Sequence, residues 1–344
     1  MQEVSVIVVN WNRRELLRRC LASLMNQRDV EAEIILVDNG STDGSVEMVG
    51  AEFASGKPFP VKVIANSSNR GFCAANNQGI AAARHPWIAL LNNDAEAEPR
   101  WLAELCQLAA AASDIGMAAS KIMVYDEPNR IDKVGHLIFF DGQNRGRGSG
   151  DRDHGQYDQA EEIAWPDGCA AVYRKAMLDQ IGGFDEDLFA YADDAELGLR
   201  GRIAGWRAVY APRAVVRHRR GATLGVRSFQ RVVLIERNRI LLAAKLFPWS
   251  LLLLNPLFYA ARLAAGAWAA LLGRGEIGRY AGWREKFGVV LAMIRGDLEA
   301  LTMLPRMLAK RRQLRTIRKL STWALLRLLW RYRITLRELS QQSI

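Results

Sequence analysis

Oxygen-bearing side chains recur wherever an apolar run of this chain stops. Trp87-Ile-Ala-Leu-Leu91 is continuously apolar, the pattern of a strand buried on both faces, and it ends in Asn92, Asn93 and Asp94. The run Val4 to Val9 ends in Asn10, and Ile34 to Val37 ends in Asp38. A short strand-like stretch before Trp87, Val61 to Ala65, leads into a loop carrying Asn69 and Arg70. A carboxylate with neighbouring amide oxygens suits a hard divalent cation carrying a diphosphate. Any one of these ends also fits a turn or a helix cap, as Asp38 before Ser-Thr-Asp does. Several at successive strand ends are harder to assign to capping. A second acidic group, Asp193, Asp194 and Glu196, places three carboxylates within four residues. Their repulsion is expected to raise at least one pKa towards a value useful to a proton acceptor. The plainer alternative is an acidic helix N-terminus favoured by the dipole.

The elements that must carry these residues alternate. Leu16, Leu17, Leu21 and Leu24 repeat at helical spacing after the first strand, and an Ala-rich helix runs to Ala83 after the third. Asn39-Gly-Ser-Thr-Asp-Gly-Ser45 is a turn and cap cluster. Strands alternating with helices predict an α/β fold with a mainly parallel, doubly wound sheet. Ligands of such sheets bind at the carboxyl ends of the strands, so Asn10, Asp38 and Asp94 fall on one rim with Asn69 and Arg70. The first strand is followed by no GxGxxG and the chain has no GxxxxGK[ST], which argues against a dinucleotide-binding dehydrogenase and a P-loop nucleotidase. Without a glycine loop to hold phosphates, a metal on Asp94 is the expected substitute. Asn144 to Gly155, with glycines at 146, 148, 150 and 155, reads as a mobile loop, either closing over a substrate or lying on the surface.

The 344 residues carry a net charge of +10 that is unevenly divided. Residues 1–200 hold 19 Lys and Arg against 31 Asp and Glu, a net of −12; residues 201–344 hold 28 against 6, a net of +22. Two different physical tasks are implied. The four cysteines are widely spaced and match no metal motif, which points to reduced thiols. The N-terminus opens on a strand and does not read as a secretory signal.

The basic part is rich in leucine and tryptophan. Leu251 to Leu272 is long enough to cross a membrane, but Asn255-Pro256 and Arg262 interrupt it. A helix in the interface, or two short re-entrant pieces, is the expectation. Trp249, Trp268, Trp283, Trp323 and Trp330 suit the headgroup layer. The arginines and lysines between Arg306 and Arg337 suit an anionic membrane surface. No zinc finger, RNP or helix-turn-helix pattern supports nucleic acid as the partner.

Several stretches together resemble one family. They are Val4-Ser-Val-Ile-Val-Val-Asn-Trp-Asn12, Leu36-Val-Asp-Asn-Gly-Ser-Thr-Asp-Gly-Ser45 and Asn69-Arg-Gly-Phe-Cys-Ala-Ala-Asn-Asn-Gln-Gly79. Later come Trp165-Pro-Asp-Gly-Cys-Ala-Ala-Val-Tyr-Arg174, the run Gly182-Gly-Phe-Asp-Glu-Asp-Leu-Phe-Ala-Tyr-Ala-Asp-Asp-Ala-Glu-Leu-Gly-Leu-Arg200, and Tyr210 to His218. The set resembles the family 2 inverting glycosyltransferases of the GT-A fold, most closely their bacterial rhamnosyltransferase-like branch. The resemblance covers residues 4 to about 240. It implies Asp94 and His218 as ligands of Mg²⁺ or Mn²⁺, Asp94 being the one acid left of the family's "DxD". It implies Asp194 as the catalytic base, with Trp165, Asp167, Gly168, Asp193 and Glu196 on the acceptor side and Glu196 also helping to hold its helix. Donor contacts fall to Asn10, Asp38, Asn69, Arg70, Asn92, Asn93 and Asp94.

These readings predict a catalytic domain over 1–225 and a basic helical membrane-docking domain over 226–344. The expected reaction moves a sugar with inversion from a nucleoside diphosphate, dTDP-rhamnose first and UDP-sugars second, to a lipid-linked glycan of the cell envelope. The expected place is the cytoplasmic face of a bacterial inner membrane, held peripherally with the basic helices against the lipid and the acidic domain facing away. Two other readings stand beside it: a metal-dependent nucleotidyltransferase, although Asn10-Trp-Asn-Arg-Arg lacks the glycine loop one would need, and a non-catalytic nucleotide-sugar-binding module.

Overall fold

The computed structural model of the chain describes residues 1–219, 228–271 and 282–341. The first half alternates as its apolar periodicity predicts: β1 (Gln2–Asn10), α1 (Arg14–Met25), β2 (Val30–Asp38), α2 (Ser45–Glu52), β3 (Val61–Ala65), α3 (Phe72–Ala82) and β4 (Trp87–Leu91). Then follow β5 (Ala95–Ala97), α4 (Trp101–Ala109), β6 (Ile115–Val124), β7 (Ile131–Lys133), β8 (His136–Ile138), β9 (Asn144–Gly146), β10 (Glu161–Ile163), β11 (Ala170–Arg174), α5 (Lys175–Ile181), α6 (Asp193–Ile203) and β12 (Arg207–His218). The rest is helical: α7 (Phe229–Leu246), α8 (Trp249–Leu271), α9 (Trp283–Gln313), α10 (Thr322–Arg331) and α11 (Leu336–Gln341).

The main sheet runs β10-β12-β6-β11-β4-β1-β2-β3, with β5 and β7 at its margin. β3, β2, β1 and β4 are parallel, and β11 enters antiparallel between β4 and β6. Val4, Val6 and Val8 pack on α1, α2 and α4 on one face of the sheet, while Ile7, Ile35 and Leu90 pack on α3 and α5 on the other. Such continuous burial is why β1, β2 and β4 read as unbroken apolar runs. Asn144–Gly146 departs from the expected loop: it is strand β9, paired with β8, and Arg145 within it is buried.

The expected boundary at residues 225 and 226 lies outside the described residues, as does Leu272. Beyond that gap the helices are not set apart from the sheet. Leu241 of α7 and Ala300 and Met307 of α9 belong to the same core as Ile35 and Leu90. Charge binds them too. Lys245 Nζ lies 2.6 Å from Asp185 and 2.7 Å from Glu196, while Arg306 and Lys310 reach Asp187 at 2.8 and 2.7 Å. Part of the −12/+22 division is therefore compensated within the protein, by ion pairs between the two halves.

α8 is one continuous helix with Pro256 inside it rather than two pieces. Its central charge is turned inward. Arg262 lies 2.6 Å from both Asp141 and Glu236. The helix is thus tied at mid-length to buried carboxylates, Asp141 of the α/β part and Glu236 of α7. Its other face is bare: Leu253 is 80% exposed and Leu257 66%. The five tryptophans from Trp249 onward are all exposed.

Candidate active site

The rim forms as the strand ends predict. Asn10 and Asp38 are paired in register at the ends of β1 and β2. Asn10 Nδ2 donates to Asp38 Oδ1 at 3.0 Å, and Asn93 Nδ2 donates to Asn10 Oδ1 at 2.7 Å. Asn69 Oδ1 accepts from Asn39 Nδ2 and from Gly71 N, and the Arg70 side chain is exposed. These amides hold the three loops to one another. Of the seven expected donor residues, Asn92 lines the neighbouring cleft of about 340 Å³, whereas Asn10, Asp38, Asn69, Arg70, Asn93 and Asp94 lie outside its wall.

Beyond β4, the chain brings together the two expected metal ligands. Arg219 N donates to Asp94 O at 2.9 Å, and β12 pairs with β5 so that His218 faces Ala95. His218 Nε2 consequently lies 3.3 Å from Asp94 Oδ1, a buried oxygen with no well-aligned hydrogen-bond partner. Asp132, fully buried, contacts His218 Nδ1 at 2.6 Å. A carboxylate on one ring nitrogen orients the other towards a metal, the usual outer support of a histidine ligand. An unmatched buried carboxylate oxygen beside an aimed imidazole nitrogen fits a divalent cation. Burial opposes charge on His218, but Cys169, Asp132 and Asp94 outweigh it and push its pKa well up. A cation must displace that proton, so its affinity falls as pH falls. Replacing Asp132 by Asn should lower Mn²⁺ affinity by roughly 10- to 100-fold in calorimetry; unchanged affinity would remove Asp132 from this role.

The acidic run begins α6. Phe189, Tyr191 and Ala192 before it hold φ of 63°, 69° and 56°, left-handed values that cost about 1–3 kcal/mol each without external support. α7 supplies that support: fully buried Asn238 has its Nδ2 within 2.8–2.9 Å of the carbonyls of Leu188, Ala190 and Tyr191. Gly71 leaves room for the Phe189 ring, which would collide with any Cβ there.

Asp194 is fixed from several sides. Its Oδ1 accepts from Ala195 N at 2.7 Å, and its Oδ2 accepts from Gly168 N at 3.3 Å. His136 Nε2 lies 3.2 Å from Asp194 Oδ2 and 2.8 Å from Asp167 Oδ2. Burial works against a charged His136, yet Asp194 and Asp167 prevail and raise its pKa to about 9. Burial first, then the charge of Asp194, pushes the Asp193 carboxyl up. The expected repulsion thus falls on Asp193. His136, Asp167 and Asp194 also offer three ligand atoms within 4.8 Å of one another. Lys133 Nζ, however, stands 2.5 Å from Asp167 Oδ2, so an ammonium already answers that carboxylate. Among the described residues, two groups of side chains could thus hold a cation, Asp94 with His218 and His136 with Asp167 and Asp194.

Trp165 and Glu196, expected on the acceptor side, do not line the cleft, and Glu196 holds its helix as expected. Trp165 is core, stacked on His136 at 6.1 Å, and α6 comes so close at Gly198 that a side chain there would strike it. Glu196 is buried between Arg200 and Lys245, which outweigh burial and lower its pKa. It braces α6 and does not line the cleft. Asp167, Gly168, Asp193 and Asp194 do line it. His136, Lys133 and Asp132 carry no sequence motif and went unforeseen.

Rim and acids share one backbone. Asn92 N donates to Cys169 O at 2.8 Å, one residue from the Gly168 that holds Asp194. A carboxylate and histidine suited to a cation thus stand near a carboxylate suited to take a proton.

Residues 5–182 match the model of the family described as Glycosyl transferase family 2. Among curated relatives, the N-acetylglucosaminyl-diphospho-decaprenol L-rhamnosyltransferase of Mycobacterium tuberculosis is 27% identical over 241 residues, 64% of this chain and 77% of its own. The succinoglycan biosynthesis protein ExoO of Rhizobium meliloti is 35% identical over 111 residues, 32% of this chain and 30% of its own. The solved mannosyltransferase PcManGT from Pyrobaculum calidifontis, in complex with GDP-Man and Mn²⁺, aligns over 95% of this chain and 87% of its own. Its TM-score is 0.50 at 20% identity. GalNAc-T7 with UDP, GalNAc and Mn²⁺ aligns over 89% of this chain and 58% of its own, with a TM-score of 0.60 at 14% identity. At these identities the likeness to the two structures is one of fold.

Proposed function

The chain belongs to glycosyl transferase family 2, and from that premise we propose that it moves a sugar with inversion from a nucleoside diphosphate to a lipid-linked glycan of the cell envelope. The observation that carries the reading is the pairing of Asp94 Oδ1 with the Asp132-oriented His218, close to the cleft that Asp194 lines. Rhamnose is the first candidate sugar, supported by the mycobacterial relative, whose name also specifies a polyprenyl diphosphate acceptor.

The reaction is a single displacement at the anomeric carbon. The acceptor oxygen bonds to that carbon from the face opposite the diphosphate, and the carbon–oxygen bond to the diphosphate breaks. Asp94 and His218 would hold Mg²⁺ or Mn²⁺, which when bound supplies positive charge for the leaving diphosphate. Asp194 receives the proton of the acceptor hydroxyl. Gly168 N and His136 keep its carboxylate in place, and Asp167 and Lys133 keep His136 in place. Asn238 holds the strained turn that presents these acids.

Docking is proposed to be peripheral, on the cytoplasmic leaflet of a bacterial inner membrane. The bare apolar face of α8 and α9, with Leu253, Leu257, Trp268, Phe287 and Leu298 exposed, supports it. The deciding experiment is a thermal-shift screen of dTDP-rhamnose and UDP-sugars with and without Mn²⁺, followed by turnover of the stabilising donor on a polyprenyl-diphosphate glycan. Mn²⁺-dependent stabilisation by a nucleotide sugar is expected; a protein stabilised by none and transferring none would overturn the reading.

A further inference from the structure

A second cleft, of about 440 Å³, lies where the end of α7 and the start of α8 meet the end of α9. Its wall includes Arg311, Arg312, Arg315 and Arg318 together with Trp249 and Lys245. Ile203 also lines it, at the opposite end of α6 from Asp193. Eleven helical residues span about 16 Å, so this cleft is separate from the one at Asp194.

The chemistry of the wall is one-sided. Among the described residues no carboxylate forms an ion pair with Arg311, Arg312, Arg315 or Arg318. The neighbouring Lys310 does, reaching Asp187 at 2.7 Å and also contacting Asp185, so acids are at hand but are engaged elsewhere. Arg311 stacks over the Trp249 ring at 4.6 Å and donates to Ala244 O at 3.1 Å, which turns its fork into the cleft wall rather than to solvent. Burial, then the like charges of Arg318 and Arg315, lower its pKa. Cations favour a helix C-terminus, which accounts for Arg311 and Arg312 at the end of α9, but not for Arg315 and Arg318 beyond it. Four guanidiniums on one wall, none paired with a carboxylate among the described residues, suit a phosphate, although Arg318 also donates to Leu320 O and Thr322 Oγ1.

The place of the cleft points to the source of that phosphate. Trp249 belongs both to its wall and to the first turn of α8, and it is 59% exposed. Leu253 and Leu257 follow it at intervals of four, one bare stripe along the helix. Leu308 of α9, also exposed, stands on the cleft wall. An anion seated on the arginines has an apolar track leading away from it, with an indole at the junction, the arrangement of a lipid head and its chains at the interface. We propose that this arginine-lined cleft seats the phosphate head group of an anionic membrane lipid, whose chains lie along the exposed face of α8.

The inference rests on the peripheral docking proposed above, and the test separates the two. Full-length protein is floated with vesicles of phosphatidylcholine alone or of phosphatidylcholine with phosphatidylglycerol. The wild type should prefer the anionic vesicles. The triple variant Arg312→Gln, Arg315→Gln, Arg318→Gln, all exposed side chains, should lose at least about tenfold of that preference. A charge-matched triple on α9 away from the cleft, Arg284→Gln, Lys286→Gln, Arg295→Gln, should lose far less. Arg315→Gln alone, free of any carboxylate partner, guards against misfolding and should lose roughly fivefold. Equal losses from both triples would overturn the cleft as a specific seat and leave diffuse attraction. Calorimetric binding of inorganic pyrophosphate at the cleft, with no preference between vesicles, would assign it to a free anion instead of a lipid. A wild type that floats with neither vesicle would overturn the docking itself.

Discussion

Replacing Asp194 by Asn is expected to lower turnover by roughly 10²–10⁴ while leaving donor affinity in Mn²⁺ unchanged. The amide keeps the shape of the carboxylate, and its oxygen still accepts from Gly168 N or Ala195 N, so α6 and the loop before it stay in place. What is lost is an oxygen able to take a proton. Asp193 is a poor substitute. Burial, reinforced by Asp194, holds its carboxyl up to about 8, so at neutral pH it mostly retains its own proton. Turnover measured with saturating donor and acceptor, beside donor affinity from calorimetry, decides the matter. A variant close to wild type in turnover would shift the role away from Asp194, with Asp193→Asn the next substitution to make.

The strand ends were legible because they obey local rules. A buried strand must be apolar throughout, and the residue after it stands on the rim, so Asn10, Asp38 and Asp94 follow from the pattern alone. Asp193 and Asp194 were legible as a dense acidic run. Asp132, Lys133 and His136 were not. They lie on two short strands whose sequence has no periodicity, and they matter because β12 brings His218 to Asp132 across 86 positions of chain and because His136 reaches Asp167. Trp165 misled for the opposite reason: it stands two residues from Asp167 in a motif, but the backbone turns its ring into the core. The charge division was visible in composition, yet composition does not say which charges meet. Reading the two halves as separate tasks missed that Asp185, Asp187 and Glu196 of the acidic half are the partners of Lys245, Arg306 and Lys310 of the basic one.

That seam carries the second large effect. Lys245→Met should destabilise the protein by about 3 kcal/mol in equilibrium denaturation, the low end for a broken buried ion pair. The low end applies because Asp185 keeps Lys310 and Glu196 keeps Arg200. The sign with pH follows from Asp185. Burial raises its pKa, but Lys245 and then Lys310 outweigh that and hold it at about 2, below the unfolded value near 4. A depressed folded pKa contributes stability above the unfolded value and loses it as pH falls through the folded one. Wild-type stability should therefore decline between about pH 4 and 2, and Lys245→Met, already lacking the main cause of the depression, should decline less over that window. Asp185→Asn added to Lys245→Met should recover part of the loss, since it removes a charge the first change left under-compensated. Turnover should fall with stability, because Glu196, which also contacts Lys245, sits two residues past Asp194 on α6. If Lys245→Met keeps wild-type stability at pH 7, the ion pairs of Lys245 with Asp185 and Glu196 contribute nothing to the fold.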